Sequence, residues 1–302
     1  MNGTEIIEFL QNTPTIHTTL SAIVGSILTS LFFRKKTSTK EFEKIKAGKF
    51  EEALEDLLDS GSMTYSELYK ANNFLKIAEK ADKYYSDKKD EDNKEHSYNF
   101  DWFIRFYEEA GNVSNDQMQE IWAKLLAGEV LGKEKYPIRI IDVLKNMESN
   151  DAILFNKICS NCIKSNDNYF LPNYDEIINR LGLTYSDIMS ISELGLIYND
   201  STLVLRAPLS SDEKNLIFNR NLCIGIKRAN SMRDTFEIKQ FPLTTIGKYF
   251  MDLFGECCTD EDFAYFAKML NRSTEIEVSL HKVLAINNNQ YTYEKKNIIN
   301  EF

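Results

Sequence analysis

The spacing of apolar side chains divides the chain into three parts. Residues 15–33 carry no Asp, Glu, Lys or Arg and are largely apolar, diluted by serine, threonine and Gly25. Nineteen helical residues rise about 28 Å, close to the roughly 30 Å of a bilayer's hydrocarbon. At the helical repeat, Ser21, Gly25 and Thr29 form one row, with Ala22, Ser26 and Ser30 beside it. Leu20, Ile23, Val24, Ile27, Leu28 and Leu31 fall opposite. Small residues four apart let helices approach closely, so the pattern predicts a transmembrane helix that packs on its own copies. Arg34, Lys35 and Lys36 follow it. By the positive-inside rule they place a short N-terminus outside and the bulk in the cytoplasm, at the inner membrane. A cleaved signal peptide fits worse, because residues 1–14 carry only Glu5 and Glu8 as charges. The alternative is a helix of a soluble core with its hydroxyl face in water.

From 38 to 149 apolar residues recur three and four apart. Residues 38–58 and 65–85 read as a helical hairpin broken at Asp59-Ser60-Gly61. Residues 86–97 hold no apolar side chain and mix both charge signs, and read as a solvated loop containing His96. Next, Ser114-x-x-Gln117 has capping-box spacing, with Val113 and Met118 placed as its staple. Met118, Ile121, Trp122, Leu125 and Leu126 continue as a buried helix face. Phe100, Trp102, Phe103, Phe106 and Tyr107 form an aromatic helix before it, which Gly111 closes. Trp102, Phe106, Met118, Trp122 and Leu125 are the expected core of this helical domain.

Beyond 150 the elements shorten and β-branched runs appear. A helix at 152–163 carries Cys159 and Cys162. A zinc site there would need Cys257 and Cys258 to supply two more ligands from adjacent positions, an awkward tetrahedron, so the thiols read as core. A helix–turn–helix around Gly182, strand-like runs at 202–206, 222–228 and 236–241, and a Leu243-Thr244-x-x-Gly247 helix together resemble a winged-helix module. The second helix offers Asp187 and Glu193 and no cation for base edges; Lys227, Arg228 and Arg233 form only a short basic wing. Residues 262–271 read as a helix and 275–285 as an alternating strand.

Composition adds three limits. A formal charge of −10 argues against nucleic acid as a general partner, since phosphate binding needs basic surface. Five cysteines without framework spacing read as reduced, in keeping with a cytosolic location. No phosphate loop, dinucleotide fingerprint or nucleophile elbow occurs, and no cofactor is implied. Glu120 and Glu129 could be the paired acids of a hydrolase or nuclease, if they face each other, but nothing fixes a catalytic partner for them.

Trp102, Phe106, Ala110, Val113-Ser114, Met118-Gln119, Trp122 and the run Leu125-Leu126-Ala127-Gly128-Glu129 resemble the signature of a bacterial family, domain of unknown function 2806. Asn73, Ile77 and Ala78 are similar to that family's preceding helix. The resemblance covers residues 41–253 and assigns no catalytic residue. A weaker likeness to helical abortive-infection proteins implies a setting in phage defence. The expected architecture is mainly α with an α+β C-terminal part. It comprises an N-terminal tail and transmembrane helix at 1–36, a cytoplasmic helical domain at 37–149, and a winged-helix-like domain at 150–302. The expected function is that of a membrane-anchored, non-enzymatic sensor that oligomerises and answers to a cytoplasmic protein partner. The alternatives are a membrane-tethered nucleic-acid-binding regulator and an unrecognised hydrolase.

Overall fold

A computed structural model describes residues 58–59, 61, 64–86, 100–130, 135–165, 168–209, 215–229, 234–255, 258–287 and 290–302. The chain divides into two compact units, Met1–Ser149 and Asn150–Phe302.

The first unit is helical. Thr64 opens α1 (Tyr65–Ser86) with a reciprocal cap: its amide donates to Glu67 at 2.8 Å, and the Glu67 amide donates back to its hydroxyl at 3.3 Å. Helices α2 (Phe100–Ala110), α3 (Asp116–Val130) and α4 (Arg139–Asn146) follow. Asn115, rather than Ser114, caps α3: its side-chain oxygen accepts from the Met118 amide at 3.1 Å. The cap lies one residue later than the Ser-x-x-Gln spacing predicts, because asparagine caps at least as well as serine. Apolar faces of α1, α2 and α3 meet around an aromatic ladder. Trp102 stacks on Phe106 with ring centres 5.1 Å apart, and Phe106 meets Trp122 edge-on at 5.2 Å.

The second unit is a sheet with helices on it. Its eight strands run in the order β3-β6-β2-β1-β4-β5-β7-β8, every pairing antiparallel. In chain order the elements are α5 (Ser149–Cys159), β1 (Ile163–Ser165), β2 (Asn168–Pro172), α6 (Asp175–Arg180), α7 (Tyr185–Glu193), β3 (Val204–Pro208) and β4 (Asn215–Phe218). Then come β5 (Leu222–Arg228), β6 (Thr235–Pro242), α8 (Thr245–Phe254), α9 (Asp260–Leu270), β7 (Ile276–Asn287) and β8 (Gln290–Tyr293). Ile224 and Ile226 lie opposite Leu280 and Val278, and with Phe263, Phe266 and Leu270 of α9 they form one buried cluster.

Gly247 marks the tightest contact. A Cβ there would lie 2.0 Å from the Leu196 carbonyl oxygen, so only glycine lets α8 sit against the end of the α7 segment. Thr244 completes the clasp, its hydroxyl donating to the Gly195 carbonyl at 2.6 Å and its amide to the Leu196 carbonyl at 3.0 Å.

Two expectations are corrected. The mainly-α class with a winged-helix-like domain gives way to a helical unit plus an eight-stranded antiparallel sheet. The helix–turn–helix of α6 and α7 forms, and β3, β6 and β2 lie side by side, but five further strands extend that sheet. Pairing of β5 with β7, Ile224 opposite Leu280, joins runs far apart in sequence, which local periodicity does not reveal. The transmembrane helix and the single-pass inner-membrane location are also withdrawn. Among the described residues no helix is long and apolar enough to cross a membrane. The longest described helix, α1, carries Glu67, Lys70, Lys76, Glu79, Lys80, Asp82 and Lys83. Ser21, Ala22, Gly25, Ser26, Thr29 and Ser30, and the basic Arg34, Lys35 and Lys36, lie outside the described residues.

Candidate functional site

Most residues singled out by sequence have a structural place. Trp102, Phe106, Met118, Trp122 and Leu125 are all buried. Asn73 donates to the Gly111 carbonyl at 2.9 Å and Gln119 to the Val113 carbonyl at 2.8 Å. Two buried amides thus hold the α2–α3 turn from either side. Gly128 lies where a Cβ would meet the Tyr136 hydroxyl at 2.6 Å, and Glu129 accepts the Tyr136 amide at 3.0 Å. Burial pushes the Glu129 carboxyl above the usual glutamate range, against the pull of that amide and Lys135.

Glu120 and Glu129 do not form an acid pair. Nine helical residues separate them by about 13.5 Å along α3 and half a turn around it. Glu120 accepts from Lys80 at 2.7 Å and Tyr84 at 2.8 Å. Although partial burial acts the other way, those two donors hold its carboxyl below the ordinary range. Burial and the bond to Glu120 push the Tyr84 phenol up to about 12. Such a cluster fastens α1 to α3.

Cys159, Cys162, Cys223 and Cys258 are buried and form no disulfide among the described residues. Burial alone pushes the Cys162 thiol far up, which is the opposite of a metal ligand or nucleophile. Among the described residues no three His, Cys, Asp or Glu side chains gather as a metal site would require. His96 and Cys257 lie outside the described residues. His281 is a residue whose role sequence reading missed. Its Nδ1 lies 2.9 Å from the Lys296 carbonyl and its Nε2 lies 2.8 Å from the Ser279 hydroxyl. Since a carbonyl only accepts, Nδ1 carries the proton. Ser279 and His281 make a serine–histidine contact of hydrogen-bonding length, but both are buried, and His281 ties β7 to the tail instead of facing a substrate.

An open groove of about 630 Å³ lies in the second unit, inside the roughly 300–1,000 Å³ span of ligand sites. The start of α6 supplies Tyr174, Asp175 and Glu176; the end of α9 supplies Met269, Leu270 and, beyond it, Arg272 and Glu275; β6 supplies Thr235, Phe236, Glu237 and Lys239. Glu176 is clamped by Arg272, whose Nη1 donates to both its oxygens at 3.0 and 2.8 Å, and by the Tyr265 hydroxyl. Those hydrogen bonds, Tyr265 first, hold the Glu176 carboxyl below the ordinary range. Arg180 lies 4.4 Å over the Tyr265 ring and donates to Asp262 at 3.0 Å, extending the clamp between α6 and α9. Glu237 pairs with Arg206 at 2.9 Å. Asp175, Glu275 and Lys239 have no ion-pair partner among the described residues. The groove therefore has an apolar base of Val204, Phe236, Met269 and Leu270 and an acidic rim. Nothing in the local sequence announced it, because its walls come from four separate segments.

The model of the family described as "Protein of unknown function (DUF2806)" matches residues 62–269. The chain belongs to that family. The match runs from the helical unit through α9 and so includes most of the groove's walls. No curated protein and no solved structure matches the chain.

Proposed function

We propose that this member of the DUF2806 family is a non-enzymatic binding protein, and that the groove of its second unit holds a segment of a partner protein. The observation that carries this reading is the groove itself: an open site with an apolar base, one of whose carboxylates, Glu176, is locked by Arg272 and Tyr265. A general acid or base needs a carboxyl poised near the working pH, whereas this one is driven the other way. In the helical unit Lys80, Tyr84 and Glu120 are engaged in holding α1 to α3.

Nucleic acid fits less well. Helix α7, which a winged-helix protein would lay in a groove of DNA, reads Tyr-Ser-Asp-Ile-Met-Ser-Ile-Ser-Glu and carries no cation. In this proposal the setting is phage defence, as the resemblance to abortive-infection proteins suggests, with the partner met during infection.

The test is selection of a displayed random-peptide library on the full-length chain, with Thr235→Trp as the comparison. Thr235 is exposed on the groove wall, so the indole would fill the space. Selected peptides should bind the parent and lose at least about tenfold in affinity, roughly 1.4 kcal/mol, on the variant. Selected peptides that bind both proteins equally would remove the groove from the reading.

A further inference from the structure

The groove is also a place where the sheet stops short. Within β6 the even-numbered residues turn their backbone groups toward β3: the Gln240 amide donates to the Leu203 carbonyl at 3.2 Å, and the Leu209 amide reaches the Asp234 carbonyl at 2.8 Å. The odd-numbered residues turn the other way. The Lys239 carbonyl accepts from the Asn173 amide at 2.9 Å, and the Lys239 amide reaches the Tyr174 hydroxyl at 3.3 Å. Alternation along a strand sends the amides and carbonyls of Glu237 and Thr235 to that same side. Strand β2 cannot meet them. Its ladder with β6 covers only Phe170 to Pro172 against Pro242 to Gln240, and the chain then leaves the sheet to start α6. Thr235, Glu237 and Lys239 are among the residues lining the groove. Among the described residues no strand pairs with β6 on this side before Gln240.

We infer that the partner segment enters the groove in extended form, as an added strand on β6 bonded to the backbone of Thr235 and Glu237, and that it carries lysine or arginine. This deepens the binding reading of the same groove and rests on it. A bare strand edge is a template for another strand, and strand addition is a recurrent way of holding peptides. Charge selects the occupant. Four carboxylates, Asp175, Glu176, Glu237 and Glu275, line the groove against the two cations Lys239 and Arg272. Of these, Asp175 and Glu275 are acids with no ion-pair partner among the described residues. An extended segment places alternate side chains on one face about 6.8 Å apart, so a cationic side chain at every second position would face this rim. A second copy of the chain, at −10, would approach against its own field.

Three fluorescein-labelled probes test this on the full-length protein by anisotropy: a peptide alternating lysine and valine, its glutamate counterpart, and the lysine peptide with its inward amides N-methylated. The lysine peptide should bind at least about tenfold tighter than the glutamate peptide, and N-methylation should cost about tenfold or more. Hydrogen exchange at the Glu237 amide should slow when it binds. The double variant Asp175→Asn, Glu275→Gln should weaken it about tenfold with an unchanged melting temperature. Equal binding of the N-methylated peptide, preference for the glutamate peptide, or indifference to the double variant would overturn the inference. Should the lysine peptide fail while library-selected peptides still depend on Thr235, cationic strand addition falls and the binding reading stands. Failure of both removes the groove altogether.

Discussion

The helical unit and the sheet unit dispose of their polar backbone in opposite ways. In the first, buried side chains reach back to satisfy turn carbonyls: Asn73 holds Gly111, and Gln119 holds Val113. In the second, a strand runs past the end of its neighbour and turns the backbone of Thr235 and Glu237 toward a groove. A closed arrangement of that kind gives a rigid body; an open one offers surface to bind. The difference explains how a family signature can be dense in one unit while the candidate site lies in the other.

The largest expected effect is on the closed unit. Trp122→Ala should remove the indole facing Phe106 and cost about 3–5 kcal/mol, read as a fall in the urea midpoint of the helical unit. A midpoint unchanged within error would mean the aromatic ladder does not carry that unit. Next, Gly247→Ala drives a methyl against the Leu196 carbonyl and should cost about 3 kcal/mol in the sheet unit. Hydrogen exchange should quicken in β6 and α8 while α3 keeps its protection. Asn73→Ala follows, at about 1–3 kcal/mol, because the buried Gly111 carbonyl loses its donor. Calorimetry of Asn73→Ala beside Asn73→Asp would separate lost packing from the lost donor.

The smallest effect is one of pH. Glu129 has its folded pKa raised above the ordinary 4.5, chiefly by burial. The folded state therefore binds its proton more tightly than the unfolded state, and its contribution is greatest below 4.5. That contribution is lost as pH rises through the raised value. Glu129→Gln should flatten this decline in urea midpoints between pH 4.5 and neutrality, and an identical decline in the variant would assign it elsewhere.

How much was legible follows the same division. Met118, Trp122 and Leu125 recur at helical spacing, so their burial could be read from neighbours three and four residues away. Leu243-Thr244-x-x-Gly247 marked a helix start, and Thr244 does cap α8, accepting from the Gly247 amide at 3.0 Å. The close approach that requires the glycine depends on Leu196, far back in the chain, and was invisible. The sheet was under-read for that reason: β5 finds β7 across the whole of β6, α8 and α9. The groove shares this origin, since Tyr174 reaches β6 through the β2–β6 pairing and Glu275 stands just before β7. Glu120 and Glu129 failed as a pair because proximity in sequence put them on opposite sides of one helix.

The clasp at Thr244 and Gly247 also bears on how such chains diverge. It pins both ends of the excursion 197–243: Ile197 bridges Leu243, and the Tyr198 amide donates to the Pro242 carbonyl at 2.9 Å. Closing a loop costs only about 0.6 kcal/mol more for each doubling of its length. Insertions and deletions in the short turn at 199–203, between that clasp and β3, would leave the strands of the excursion paired while recutting the side of the groove that Val204 forms. New specificities could arise there without a new scaffold.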